Sequence, residues 1–70
     1  MHGDYTRAER LLLETAATTA NDPEIWYYLG MAQYNLKKPA DCKKNLQKAL
    51  NLNLPAKFNP EAKRVLAELK

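Results

Sequence analysis

The chain has 70 residues, of which 46% are hydrophobic and 27% charged, with a formal net charge of +3. That is room for one small domain with a modest core, and the hydrophobic share is too high for a disordered tail. No run approaches the ~20 apolar residues that span a bilayer, no basic flank leads into an apolar run as in a signal peptide, and the lone Cys42 has no partner for an internal disulfide, which fits a reducing, cytoplasmic compartment.

Ala, Leu, Lys and Glu dominate and lose little freedom on becoming helical, so the composition favours helix over sheet. The first helical segment is expected from about Asp4, which can cap it, to Thr19. Tyr5, Ala8, Leu11, Leu12, Thr15 and Ala16 recur at three- and four-residue steps along one face. The polar stretch Thr18-Thr19-Ala20-Asn21 ends it. The second runs from Pro23 to about Leu36, with Asp22 as N-cap and the proline at the first helical position, where its missing N–H costs nothing. Its apolar stripe is Ile25, Trp26, Leu29, Ala32 and Leu36. The third opens at Pro39 and runs to about Leu52, with Cys42, Leu46, Ala49 and Leu50 on one face. Asp41 in its first turn and Lys48 towards its end both suit the helix dipole. Residues 53–57 form a connector. The fourth helix is expected to start at an Asn59 cap followed by Pro60, with Ala62, Val65, Leu66 and Leu69 on one side. Short connectors make neighbouring helices pack antiparallel, so the expected fold is all-α, about four helices in antiparallel hairpins.

The first and third segments superpose with a shift of about 34 residues. Ala8 falls on Cys42, Leu12 on Leu46, Ala16 on Leu50 and Arg10 on Lys44. The second and fourth align with a slightly longer shift that carries Pro23-Glu24 onto Pro60-Glu61, Leu29 onto Leu66 and Gly30 onto Ala67, which implies inserted residues near 55–58. Trp26-x-x-Leu29-Gly30 followed by Cys42-x-x-x-Leu46-x-x-Ala49 resembles the signature of the tetratricopeptide repeat. The resemblance covers one full repeat, about residues 23–56. Residues 3–20 resemble the second helix of a preceding repeat, and 59–70 would be a C-terminal capping helix, the whole being one domain of an α-solenoid fragment. The sequence departs from the pattern at Gln33, where an aromatic residue is usual and Tyr34 follows one step late. It departs also at Lys37, in the place of the turn glycine, and at Pro39, in the place of a tyrosine that Tyr5 supplies in the earlier half-repeat.

What the resemblance implies is a scaffold that binds a protein or peptide. Trp26, Leu29, Gly30, Ala8, Cys42, Leu46 and Ala49 would be the packing set, with Gly30 letting the two helices of the repeat approach. The first helix of a repeat lines a concave groove, and the matching residues here are Glu24, Tyr27, Met31, Tyr34 and Asn35, with Tyr28 beside them. Their three- and four-residue spacing sets them on one face, away from Trp26 and Leu29. Tyrosine and methionine join apolar area to a polar or adaptable end, which suits a contact surface. The alternative is that some of these tyrosines pack against neighbouring helices. Relatives that grip a C-terminal carboxylate use Lys, Arg and Asn where Tyr27, Tyr28 and Met31 stand, so a segment with apolar side chains is the expected ligand. No room precedes Gly3 for the first helix of an earlier repeat, which leaves Leu11, Leu12 and Leu13 partly exposed. The expectation is a piece of a longer array, or a homo-oligomer through the first helix.

Catalysis finds no support. The chain has no serine, His2 is the only histidine, and one His with one Cys forms no metal-ligand set. Cys42 lacks a plausible base and reads as a small buried apolar residue, and no Gly-rich phosphate loop exists, so no cofactor is implied. Charge is divided unevenly. Residues 1–36 carry two basic against five acidic groups, a charge of −3, and residues 37–70 nine against three, a charge of +6. The run Lys37, Lys38, Lys43, Lys44 and Lys48, with Lys57, Lys63 and Arg64, could meet nucleic acid or another anionic partner. No aromatic residues interleave it as a base-stacking platform requires.

Overall fold

The computed structural model describes residues 3–69, and His2 lies outside them. Four helices follow in order: α1 (Gly3–Thr18), α2 (Pro23–Asn35), α3 (Pro39–Asn51) and α4 (Asn59–Glu68). Each packs on the next, giving a layered body of 28 × 28 × 19 Å. There is no strand among the described residues.

The helix ends follow from local chemistry. α1 begins at Gly3, so Asp4 lies inside its first turn rather than capping it, and its charge there suits the helix dipole. Its far end is drawn in by Thr18 and Thr19, whose hydroxyls both donate to the Thr15 carbonyl at 2.9 and 2.8 Å. Asp22 caps α2 as expected, its carboxylate accepting the Glu24 N–H at 3.0 Å with Pro23 next in line. Asn59 does not cap α4. Phe58 takes the N-cap place without a side-chain bond, and Asn59 becomes the first helical residue with its Oδ1 buried and unpartnered.

The two central helices close in the same way. After α2, the Lys38 N–H reaches the Gln33 carbonyl and the Lys37 N–H reaches that of Tyr34. After α3, Leu54 reaches Ala49 and Asn53 reaches Leu50 in the same pattern. Both are Schellman closures, which require a left-handed residue just past the helix. That residue is Lys37 at φ 60° and Asn53 at φ 67°. Asparagine tolerates this conformation, whereas lysine carries a Cβ penalty. The missing turn glycine therefore changed the cost of the turn and left its shape intact.

The core forms where α2 meets α3 and continues under α4. Leu29, Cys42, Leu46, Ala49, Ala62 and Val65 are all fully buried, with Ala16, Ala32 and Leu54 nearly so. Gly30 sits at the α2–α3 crossing. A Cβ placed there would lie 2.8 Å from both Cγ and Cδ2 of Leu46 and 3.3 Å from the Leu46 backbone nitrogen. Leu46 is thus the residue that the glycine accommodates. Trp26 and Ala8, expected in the packing set, are half-buried. Trp26 ties the first turn down by donating its indole N–H to the Ala20 carbonyl at 2.8 Å.

Two stability measurements follow. Gly30→Ala gains about 1 kcal/mol of helix propensity but must displace a leucine with no free volume, an overpacking cost of about 1–3 kcal/mol. Urea denaturation is expected to show a net loss, larger for Gly30→Val. Lys37→Gly removes the left-handed penalty and should raise stability by up to about 1 kcal/mol, with the helix content by circular dichroism unchanged.

Candidate functional site

The six residues expected to face a groove lie on the side of α2 opposite its core stripe, and α4 stands beside that side. They do not share one fate. Tyr28 is 44% exposed, Asn35 is exposed, and Glu24, Met31 and Tyr34 are half-buried. Tyr27 is buried at 8% and belongs to the core cluster with Cys42, Leu46 and Val65. Its placement in the groove needs correcting. Phe58, delivered by the α3–α4 connector, lies with its ring centroid 4.8 Å from that of Tyr27 and covers it. Tyr28 completes a three-ring cluster, edge-on to Tyr27 at 5.5 Å and to Phe58 at 5.9 Å. The groove side thus presents Tyr28 to solvent over a buried aromatic base.

The other end of the same side is polar. The Tyr34 hydroxyl donates to Glu68 at 2.6 Å, bridging α2 to α4. Its attachment to a carboxylate holds the phenol above its usual pKa. Arg64 donates to Glu68 at 2.8 Å and also to Glu61, so one guanidinium sits between two carboxylates. Arg64, Glu61 and Glu68 were not among the expected site residues. The signal that could have found them was already in the repeat alignment, because the shift that carries Pro23 onto Pro60 carries Glu24, Tyr27 and Met31 onto Glu61, Arg64 and Glu68. Phe58 had no such signal, since it lies in the inserted connector.

A second polar cluster lies where α1, α2 and α3 meet. The Asn45 amide donates to Gln33 Oε1 at 2.6 Å, the Gln33 amide donates to Glu9 Oε2 at 3.1 Å, and Lys38 Nζ donates to Glu9 Oε1 at 2.9 Å. Gln33 and Asn45 are 3% and 8% exposed. Gln33 stands where the repeat usually has an aromatic ring, and Asn45 supplies its amide with a partner, so nothing is left unpaired at that position. The Lys38 ammonium, with the Gln33 amide behind it, holds the Glu9 carboxyl below its usual 4.5.

The basic run is partly spent within the chain. Lys38 pairs with Glu9, Arg64 with two glutamates, Lys48 lies 4.3 Å from the Trp26 ring centroid, and Lys57 lies 5.1 Å from that of Phe58. Lys43, Lys44 and Lys48 border a shallow depression of about 430 Å³ on the outer face of α3 with Gln47 and Asn51. The Cys42 thiol is fully buried, and burial pushes it up to about 11, far from the range of a nucleophilic thiolate. Among the described residues no group of His, Cys, Asp and Glu side chains could hold a metal ion, and no helix is long and apolar enough to cross a membrane.

Residues 23–54 match the family model of the tetratricopeptide repeat. No curated protein and no solved structure matches the chain.

The Glu9 pairing gives a pH dependence. A carboxyl held below its ordinary value stabilises the fold above 4.5, and that stability is lost as the pH falls through the lower folded-state value. Glu9→Gln is expected to be less stable than the parent at neutral pH and to lose less on acidification. Urea midpoints across the acid range check it, and parallel curves for the two chains would refute it.

Proposed function

We propose that the chain, whose residues 23–54 match the family model of the tetratricopeptide repeat, is a protein-interaction scaffold whose contact surface is the concave side formed by α2 and α4. Such repeats generally mediate protein–protein interaction and are typically non-catalytic. The finer reading is that a peptide or partner segment lies along this side. Tyr28 and Met31 meet its apolar side chains, Glu24 and Asn35 meet its polar groups, and the Tyr34–Glu68–Arg64 bridge forms the charged rim. Residues 3–18 act as the second helix of a preceding repeat, and α4 caps the far side.

One observation carries this reading. Tyr28 is a large aromatic residue left 44% exposed on α2, although the Tyr27 and Phe58 rings beneath it hold it in place. A fixed, exposed aromatic loses little conformational freedom on meeting a partner, and such residues are favoured anchors in interfaces. Tyr27 supports the surface from below, and Tyr34 serves through its hydroxyl. Among the described residues the same face offers no cluster of free cations for a lone carboxylate, since Arg64 is held between two glutamates.

A peptide array screened with the parent chain supplies a ligand, and titration calorimetry then measures the variants. Tyr28→Ala and Met31→Ala should each weaken binding, Tyr28 by about 2 kcal/mol as an anchor residue, with the fold retained. Lys43→Gln with Lys44→Gln should leave affinity unchanged and insensitive to salt. Loss of binding on removing the lysines, with Tyr28→Ala silent, would move the contact surface to the basic side and overturn the assignment.

A further inference from the structure

Trp26 and Phe58 are half-buried, and each has an ammonium group of the chain over its ring. Lys48 Nζ lies 4.3 Å from the Trp26 centroid and Lys57 Nζ 5.1 Å from that of Phe58. The face of an aromatic ring is its negative side, which is why a cation settles there. Tyr28 is more exposed than either, at 44%, and among the described residues no cation lies over it. Nor is it stacked. Tyr27 and Phe58 meet it at interplanar angles of 62° and 74°, whereas they lie at 34° to one another. Neither ring lies flat on Tyr28, so a planar group from solvent can reach its face. The uncompensated charge beside it is negative. Glu24 is the only charged residue of α2 and stands one turn before Tyr28, where Cβ atoms are about 6 Å apart. Among the described residues it has no ion pair. The Asp22 carboxylate accepts the Glu24 N–H and adds its charge to the same end. On α4, Arg64 is held between Glu61 and Glu68. Lys57 opposes the negative charge, but its ammonium lies over Phe58.

We propose that the segment received by the concave side carries an arginine, whose guanidinium lies flat on Tyr28 with its N–H edge turned to the Glu24 carboxylate. This rests on the reading that α2 and α4 form the contact surface, and it names the chemistry that the surface selects. Arginine fits better than lysine because its planar group covers a ring and offers two parallel N–H donors to one carboxylate. It is also more weakly hydrated than an ammonium, so it leaves water more readily. The apolar stem of the same side chain covers the rest of the Tyr28 ring. Met31 stands about 5 Å further along the helix axis, three residues on. In an extended segment the side chains on one side recur about every 7 Å. The residue two places from the arginine therefore meets Met31 and is apolar. A cation against a ring face excludes the water between them and is little screened. The exposed pair with Glu24 adds about threefold, so most of the affinity persists in salt.

The test is a library of random twelve-residue peptides screened with the parent chain, followed by calorimetry on the tightest ligand. Arginine should be enriched over lysine, with an apolar residue two places away. Citrulline in place of that arginine keeps the planar shape and removes the charge. It should weaken binding about tenfold, with lysine in between. Glu24→Gln should weaken the arginine peptide about threefold and leave the citrulline peptide unchanged. Tyr28→Leu keeps an apolar side chain without a ring, and should bring the two peptides within about threefold of each other, the share left to Glu24. Tyr28→Phe should keep them apart as in the parent. Circular dichroism checks the fold of each variant. Should Tyr28→Leu lose its helix signal, Glu24→Gln against the two peptides decides. Ligands that need Tyr28 but bind equally well with citrulline overturn the inference and leave the contact surface in place. Ligands that bind the Tyr28→Ala chain as tightly as the parent overturn both, and so does a library that yields no ligand.

Discussion

At the crossing of α2 and α3 two backbones come within reach of one leucine side chain, and the rest of the molecule is arranged around that approach. Gly30 has no side chain to hold Leu46 away, so Leu46 is fully buried with its Cγ only 2.8 Å from where a Cβ on residue 30 would stand. The short distance decides which residues can flank it. Cys42 and Ala49, the small residues on the Leu46 face of α3, lose all exposure. With this hairpin fixed, α1 lies against one flank and α4 against the other.

Much of this was readable from residue types alone. Trp26-x-x-Leu29-Gly30 and the Cys42, Leu46, Ala49 series keep a fixed phase over two helices, and phase is what sequence records best. Asp22 and the prolines at the starts of α2 and α3 mark their own positions, because a cap needs an acceptor there and a proline needs no donor. The turn after α2 kept its left-handed residue even though Lys37 replaces glycine, since closure of the helix is set by the carbonyls of Gln33 and Tyr34 and not by the turn residue.

Other features depend on pairs that sequence does not bring together. Gln33 looked like a blemish in a repeat that prefers an aromatic ring. Its partners, Asn45 and Glu9, lie on two other helices, and only the assembled bundle shows that they satisfy it. A buried amide pair of this kind avoids the cost of an unpaired polar group, since each amide has a partner. The resemblance to the repeat assigns Tyr27 to the groove, and helix spacing agrees with it. It is buried because the connector before α4 is longer than a regular repeat allows and brings Phe58 over it. Among the six expected contact residues Tyr27 is the buried one, and the ring that covers it comes from an insertion outside its own helix. Glu61, Arg64 and Glu68, which border the candidate surface, were within reach of the repeat alignment but not of a reading that treated α4 as a cap only.

The ring stack of Tyr27, Tyr28 and Phe58 joins two properties that are usually separate. Tyr27 is core and Tyr28 is surface, yet each touches the same Phe58, and Phe58 is the residue from which α4 starts. Any undocking of α4 would therefore also reshape the surface around Tyr28. On the proposed reading, a segment that wedges against Tyr28 would also clamp the start of α4, so occupancy of the surface would slow amide hydrogen exchange along a helix that the ligand need not touch. The end of the domain would then act as a gauge of its own occupancy, with the information carried by the lifetime of a closed state and not by any change in its shape.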